Sequence, residues 1–220
     1  MKRKWYDLTQ QFRENMTTTS TLGSFQRTLI SDLDHAPCQI SRLTFATHQG
    51  CHLDAPRHYY KTGQSISDIP VDRLVSRCVV IDAQKGRHGI ITVEDVERSG
   101  FSIGPGDFVF FYTCWQDYFA NNNPMFFEGA SLSESLAQWL VDARVGLVGI
   151  DTCTVDLAHS LRPKDFQPKI HWKLLENDIL IAECLRLNEV VGKELEAVLL
   201  PMLVAESDGA PLRAIAREFP

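Results

Sequence analysis

A chain of 220 residues, 44% of them hydrophobic, can bury one sizeable core, and no proline- or glycine-rich stretch divides it, so a single domain over residues 1–220 is expected. Lysine and arginine total 22 against 28 acidic residues, a net charge of −6 with no basic run, which argues against nucleic acid as a partner. No apolar stretch approaches the length of a membrane helix, so no membrane partner is expected. The basic start Met1-Lys-Arg-Lys-Trp5 runs into Asp7-Leu8-Thr9 and not into the apolar centre of a signal peptide, which predicts a cytoplasmic protein.

The first informative segment in chain order is His48-Gln-Gly50-Cys51-His52-Leu-Asp54-Ala-Pro56-Arg-His58, with three histidines and an aspartate in eleven positions. Imidazole nitrogens and a carboxylate suit zinc or manganese and leave coordination positions for water, whereas structural zinc sites close with thiolates; the mixture points to catalysis. In a straight strand His48 and His52 would share a face with their α-carbons roughly 13 Å apart. That is too far for comfortable ligation of one ion, so the chain must bend between them. Gly50 tolerates the backbone angles of such a bend, and Pro56 stops an ordinary helix from running through. A helical pair at i and i+4 is therefore not expected.

Downstream, β-branched and aromatic runs predict strands at about 77–82, 107–113, 145–150 and 178–185. Thr92 to Gly100 reads as a helix with a capping threonine, an acidic first turn and a terminal glycine. Gly104-Pro-Gly106-Asp107 is a turn into a strand and lacks the spacing of a dinucleotide loop. Ser131-Leu-Ser-Glu134 reads as a capping box opening a second helix, whose Leu132, Leu136, Trp139, Leu140 and Ala143 form a core-facing stripe. Asp151 and Asp156 follow the 145–150 strand, where they either support a site indirectly or are solvated in a loop. His171 to Asp178 reads as a short helix and turn before a strand that ends near Glu183. His35, His88 and His159 stand apart from other ligand candidates and are read as non-catalytic. The six cysteines (38, 51, 78, 114, 153 and 184) form no Cys-x-x-Cys pair, and buried reduced thiols are expected.

The pattern His-x-Gly-x-His-x-Asp-x-Pro-x-His at 48–58, followed by His171 and Glu183, resembles the cyclase-like metal-dependent hydrolase family, which includes kynurenine formamidases and isatin hydrolases. Tyr6-Asp7-Leu8-Thr9, Thr113-Cys114-Trp115, Gly149-Ile150-Asp151-Thr152 and Asp208-Gly209-Ala210-Pro211-Leu212-Arg213-Ala214 extend the resemblance over nearly the whole chain. It implies an α/β fold, a swivelling β/β/α domain of mixed sheets with flanking helices. It also implies two divalent ions per chain, zinc or alternatively manganese. His48, His52 and Asp54 would hold one ion, Asp54, His171 and Glu183 the other, and His58 would be the acid/base. A homodimer or homotetramer is implied as well.

The resulting expectation is hydrolysis of a carbon–nitrogen bond in a small amide or cyclic amide by metal-activated water, with arylformamidase-like chemistry. A bound ion polarises the carbonyl and lowers the pKa of water towards about 7, so no serine or cysteine nucleophile is needed. The alternatives are a lactone or ester hydrolase on the same metals and a non-catalytic metal- or ligand-binding protein; the additional histidine, His58, speaks against the last. Two departures from the family pattern bear on substrate. Cys51 stands where threonine is usual, as a thiol that ligates, tunes or packs. Residues 15–23 lack the proline and tryptophan of a formamidase pocket, which predicts weak recognition of N-formylkynurenine.

Overall fold

The computed structural model describes residues 4–219. The elements in chain order are β1 (Trp5–Asp7), β2 (Gln26–Ser31), β3 (Ile40–Thr44), β4 (His52–Asp54), β5 (Val75–Asp82), β6 (Ile90–Ile91), α1 (Val93–Ser99), β7 (Phe108–Tyr112), β8 (Ser131–Leu132), α2 (Glu134–Asp142), β9 (Leu147–Ile150), α3 (Lys169–Glu176), β10 (Leu180–Glu183), β11 (Glu194–Pro201) and β12 (Gly209–Arg217). The strands 5, 7, 9 and 10 run parallel, and their central residues are buried on both faces. This is why they read as continuous apolar runs without alternation. The later strands β11 and β12 alternate buried and exposed residues, as antiparallel strands with one wet face do.

The main sheet has the order β1-β12-β11-β5-β7-β9-β10-β4, and β12 also pairs with β4, so the sheet closes on itself. Period-two alternation divides the parallel strands between two cores. Cys78, Val80, Phe108 and Phe110 fall in a cluster built from the closed sheet, with Leu53, Leu199 and Ala214. Val79, Ile81, Val109 and Phe111 fall in a second cluster, where the helices contribute Val96, Leu136, Leu140 and Leu174. A third cluster, with Met16, Phe25, Trp115, Phe119 and Phe126, packs beside the end of β10 at Cys184. The architecture is the mixed α/β fold expected from the resemblance. Among the described residues no helix is long and apolar enough to cross a membrane.

Local signals held where their partners were local. Thr92 and Asp95 form a capping box at the start of α1, and Gly100 ends it in the left-handed region at φ 72°. The second box was misplaced by two residues. Ser133, not Ser131, caps α2, its hydroxyl accepting from the Leu136 amide at 3.1 Å. Ser131 and Leu132 are instead taken into β8 by pairing with β6, which removes Leu132 from the helical stripe. The cysteines are all free, but Cys38 and Cys114 are exposed, so burial holds for only part of the set.

Candidate metal centre

The strand register assembles the centre. The short strand β4 is sandwiched between β10 and the start of β12, which sets His52 opposite Glu183 and Asp54 opposite Gly209. Ahead of it, Gly50 bends the chain at φ 68°, with the Phe12 ring only 2.7 Å from where a β-carbon would stand, so another residue would meet both backbone strain and the ring. The bend carries His48 back onto Asp54, with Nδ1 2.7 Å from Oδ1. Beyond the strand, a single 3-10 turn at Pro56–His58 delivers His58, whose ring stacks on His48 at 3.8 Å between centroids.

Each histidine beside Asp54 has one nitrogen fixed by an outer partner. His52 donates through Nδ1 to the Gly50 carbonyl at 2.8 Å, leaving Nε2 at 3.2 Å from Asp54 Oδ1 and 3.7 Å from Glu183 Oε2. His171 Nδ1 bonds Asp156 Oδ2 at 2.6 Å, leaving Nε2 at 3.1 Å from Glu183 Oε1 and 3.5 Å from Asp54 Oδ2. His48 Nε2 bonds Asp208 Oδ2 at 2.9 Å and so aims Nδ1 at Asp54. An outer carboxylate or carbonyl on one ring nitrogen is the usual way to fix the tautomer and orientation of a metal-binding imidazole.

The donor set fits divalent ions. Donors about 2.0–2.2 Å from one tetrahedral zinc stand roughly 3.3 Å apart, close to the separations among His52, Asp54, His171 and Glu183. Two trios, His52–Asp54–Glu183 and His48–Asp54–His58, each keep their ligand atoms within 4.8 Å of one another and share Asp54. The six residues selected from sequence thus line one cavity of about 350 Å³. Within it His52 lies with Asp54 and Glu183, His48 with Asp54 and His58, and His171 Nε2 stands 3.1 Å from Glu183 and 3.5 Å from Asp54.

The electrostatics follow from burial and charge. Burial alone would raise the Asp54 carboxyl, but the imidazoles of His48 and His52 and the hydrogen bond to His171 hold it well below the usual carboxylate range. Burial would lower His48; Asp54 and Asp208 overcome it and lift the imidazole to about 9. His58 goes the other way. Its burial, reinforced by repulsion from His48 and His171 against the pull of Asp54, pushes it down to about 4. His171 is raised well above its ordinary value because Asp156, Asp54 and Glu183 outweigh its burial.

Several residues around the centre were less legible. Asp156, one of two candidates for indirect support, does more than bond His171: its carboxylate also accepts from the amides of Ile170 and His171 at 3.0 and 3.2 Å. It caps α3 from a distance, since Pro168 at the N-cap offers no side-chain bond. Asp151 instead holds the Thr113–Trp115 loop, and burial raises its carboxyl to about 6. Asp208, which in sequence only extends the family resemblance, orients His48, and a β-carbon on the neighbouring Gly209 would lie 2.6 Å from His48 Cε1.

His159, set aside for its isolation in sequence, lines the cavity and stacks on Phe127 at 5.0 Å. Arg162 and Phe166 line it too and gave no sequence signal. Cys51 packs: it is fully buried in the sheet interior, and burial lifts its thiol to about 12. The threonine-rich segment does reach the cavity through Thr19, Thr21 and Leu22, and the aromatic groups there come from Tyr59 and Phe166.

This chain and its fold have counterparts among known proteins. The model of the putative cyclase family matches residues 6–157, and the chain belongs to that family. The kynurenine formamidase of Erythrobacter litoralis (strain HTCC2594) is 29% identical over 221 residues, covering 100% of this chain and 96% of its own. The kynurenine formamidase of Maricaulis maris (strain MCS10) is 30% identical over 84% of this chain and 83% of its own. Among solved structures, isatin hydrolase A from Ralstonia solanacearum shares the fold with a TM-score of 0.87 at 22% identity, over 99% of this chain and 92% of that one. A structure described as a potential metal-dependent hydrolase with cyclase activity aligns over all of both chains, with a TM-score of 0.81 at 28% identity.

Proposed function

We propose that the chain is a metal-dependent hydrolase of a carbon–nitrogen bond in a small amide or cyclic amide, with chemistry of the arylformamide type. The observation that carries this reading is the convergence of His48, His52 and His171 on Asp54, each with its far nitrogen already held by Asp208, the Gly50 carbonyl or Asp156. The kynurenine formamidases among its relatives support the same class of bond. A cavity of about 350 Å³ suits a small molecule.

We read His48, His52, Asp54, His171 and Glu183 as ligands of two divalent ions, zinc or alternatively manganese. Asp54 is the shared ligand, its Oδ1 facing His48 and His52 and its Oδ2 facing His171. Ions held there supply polarisation of a substrate carbonyl and a water whose pKa falls towards about 7. His58, kept neutral near pH 7 by burial, would hold a proton between an attacking water and the leaving nitrogen. Assembly as a homodimer or homotetramer is part of the same reading.

Elemental analysis after metal loading tests it. Two ions per chain are expected, with both lost in Asp54→Ala, while His171→Ala spares the ion beside His48 more than the other. A single ion per chain at saturating metal overturns the binuclear assignment. Assay of the loaded protein on amides, cyclic imides and lactones tests the bond: turnover of lactones alone overturns the carbon–nitrogen assignment.

A further inference from the structure

Among the described residues Arg162 is the single lysine or arginine lining the cavity of the metal centre, and it is half-buried there. Its Nε donates to the Leu157 carbonyl at 2.8 Å, one Nη2 hydrogen reaches Thr154 Oγ1 at 3.3 Å, and the guanidinium lies over the Phe166 ring, 4.7 Å from its centroid. Those contacts use two of the five N–H donors of a guanidinium and leave the Nη1–Nη2 fork free. Among the described residues no carboxylate pairs with it. The acids of the cavity are committed elsewhere: Asp54 and Glu183 face histidines, and Asp156 holds His171 and the start of α3.

A guanidinium in this state has been paid for in advance. Its stem is pinned, its face is stacked and its remaining donors point to no protein anion, so a planar anion can be bound with little further loss of side-chain freedom. The anchoring is tied to the centre as well. Thr154 Oγ1 also accepts from the Asp156 amide at 3.2 Å, and the Val155 amide donates to Glu183 Oε1 at 3.1 Å. Residues 154–156 therefore hold the arginine, His171 and Glu183 in one frame. That frame fixes the spacing between a cationic fork and the place where the amide would react.

We propose that Arg162 binds a carboxylate carried by the substrate, so that the compound hydrolysed here is an acidic amide. The inference rests on the amide-hydrolase reading of the same cavity and adds the charge of its substrate and the residue that selects for it. Phe166, beneath the guanidinium, and Tyr59, beside His58 and His171, supply the apolar surface for the remainder of such a molecule.

The test uses two formamides that differ by one ring carboxylate, N-formylanthranilate and formanilide, on the metal-loaded enzyme. The wild type is expected to favour the acid by roughly 10- to 100-fold in kcat/KM, mainly through KM, as a charge-assisted pair should. Arg162→Met should bring that ratio close to one, and Arg162→Lys, which restores charge without the fork, should recover part of it. Calorimetric binding of anthranilate and aniline to the same three proteins reads the same preference without turnover. If neither formamide is hydrolysed, chemistry of the arylformamide type is wrong, and the calorimetric ratio still decides the role of Arg162. A wild-type ratio near one, a ratio that survives in Arg162→Met, or equal losses on both compounds with no recovery in Arg162→Lys would each overturn the proposal.

Discussion

Asp156→Asn separates two duties that one carboxylate performs. The side chain is only 4% exposed and accepts three hydrogen bonds: Ile170 N at 3.0 Å, His171 N at 3.2 Å and His171 Nδ1 at 2.6 Å. Asparagine keeps the shape but has one acceptor oxygen, and it removes the charge from the bond to Nδ1. With its oxygen in the Oδ2 position both His171 bonds survive in neutral form and the Ile170 bond is lost. Losing one helix-end bond should cost about 1 kcal/mol of stability in the metal-free protein. Removing the anionic partner of a ligating imidazole typically weakens metal affinity 10- to 100-fold. At about 1.36 kcal/mol per decade that is roughly 1.4–2.7 kcal/mol. Urea unfolding of the stripped protein measures the first quantity, and zinc titration against a chromophoric chelator measures the second. A variant that loses the stability but binds metal within about twofold of the wild type would refute the orienting role and leave Asp156 as a helix cap alone.

Gly209→Ala should act on the centre, because the glycine has no left-handed φ and its new methyl would sit 2.6 Å from His48 Cε1 and 3.0 Å from the Leu53 carbonyl oxygen. A fall in kcat/KM of about tenfold or more is expected from displacing that ring; full activity would show that His48 need not stay where it is. His58→Ala should keep its metal while turnover drops roughly 10²- to 10⁴-fold. Metal lost together with activity would make His58 a ligand. N-Formylkynurenine should be a poor substrate, with kcat/KM below about 10⁴ M⁻¹s⁻¹, because the 19–22 wall of the cavity offers threonines and one leucine and no aromatic ring. A higher value would mean that Tyr59 and Phe166 stack the ring unaided.

How far the sequence determined this protein depends on the range of each interaction. The histidine motif, the bend at Gly50, the stop at Pro56 and the caps of α1 are settled by neighbours within a few residues, so they could be read directly. The parallel strands were legible because burial on both faces leaves an apolar run that needs no partner to be recognised. Asp208 reaches His48 across 160 residues, and only the closure of the sheet, with β12 pairing to β4 at Gly209–Asp54, brings them together. The grouping of the donors is likewise a matter of register: His52 meets Glu183 because β4 and β10 pair antiparallel at those residues. His159 opens a single 3-10 turn and Arg162 ends it, a segment too short for any periodicity to announce which side faces the cavity. Strand pairing and loop packing are collective, long-range choices, and a local pattern of residue types carries no record of which partner will be met.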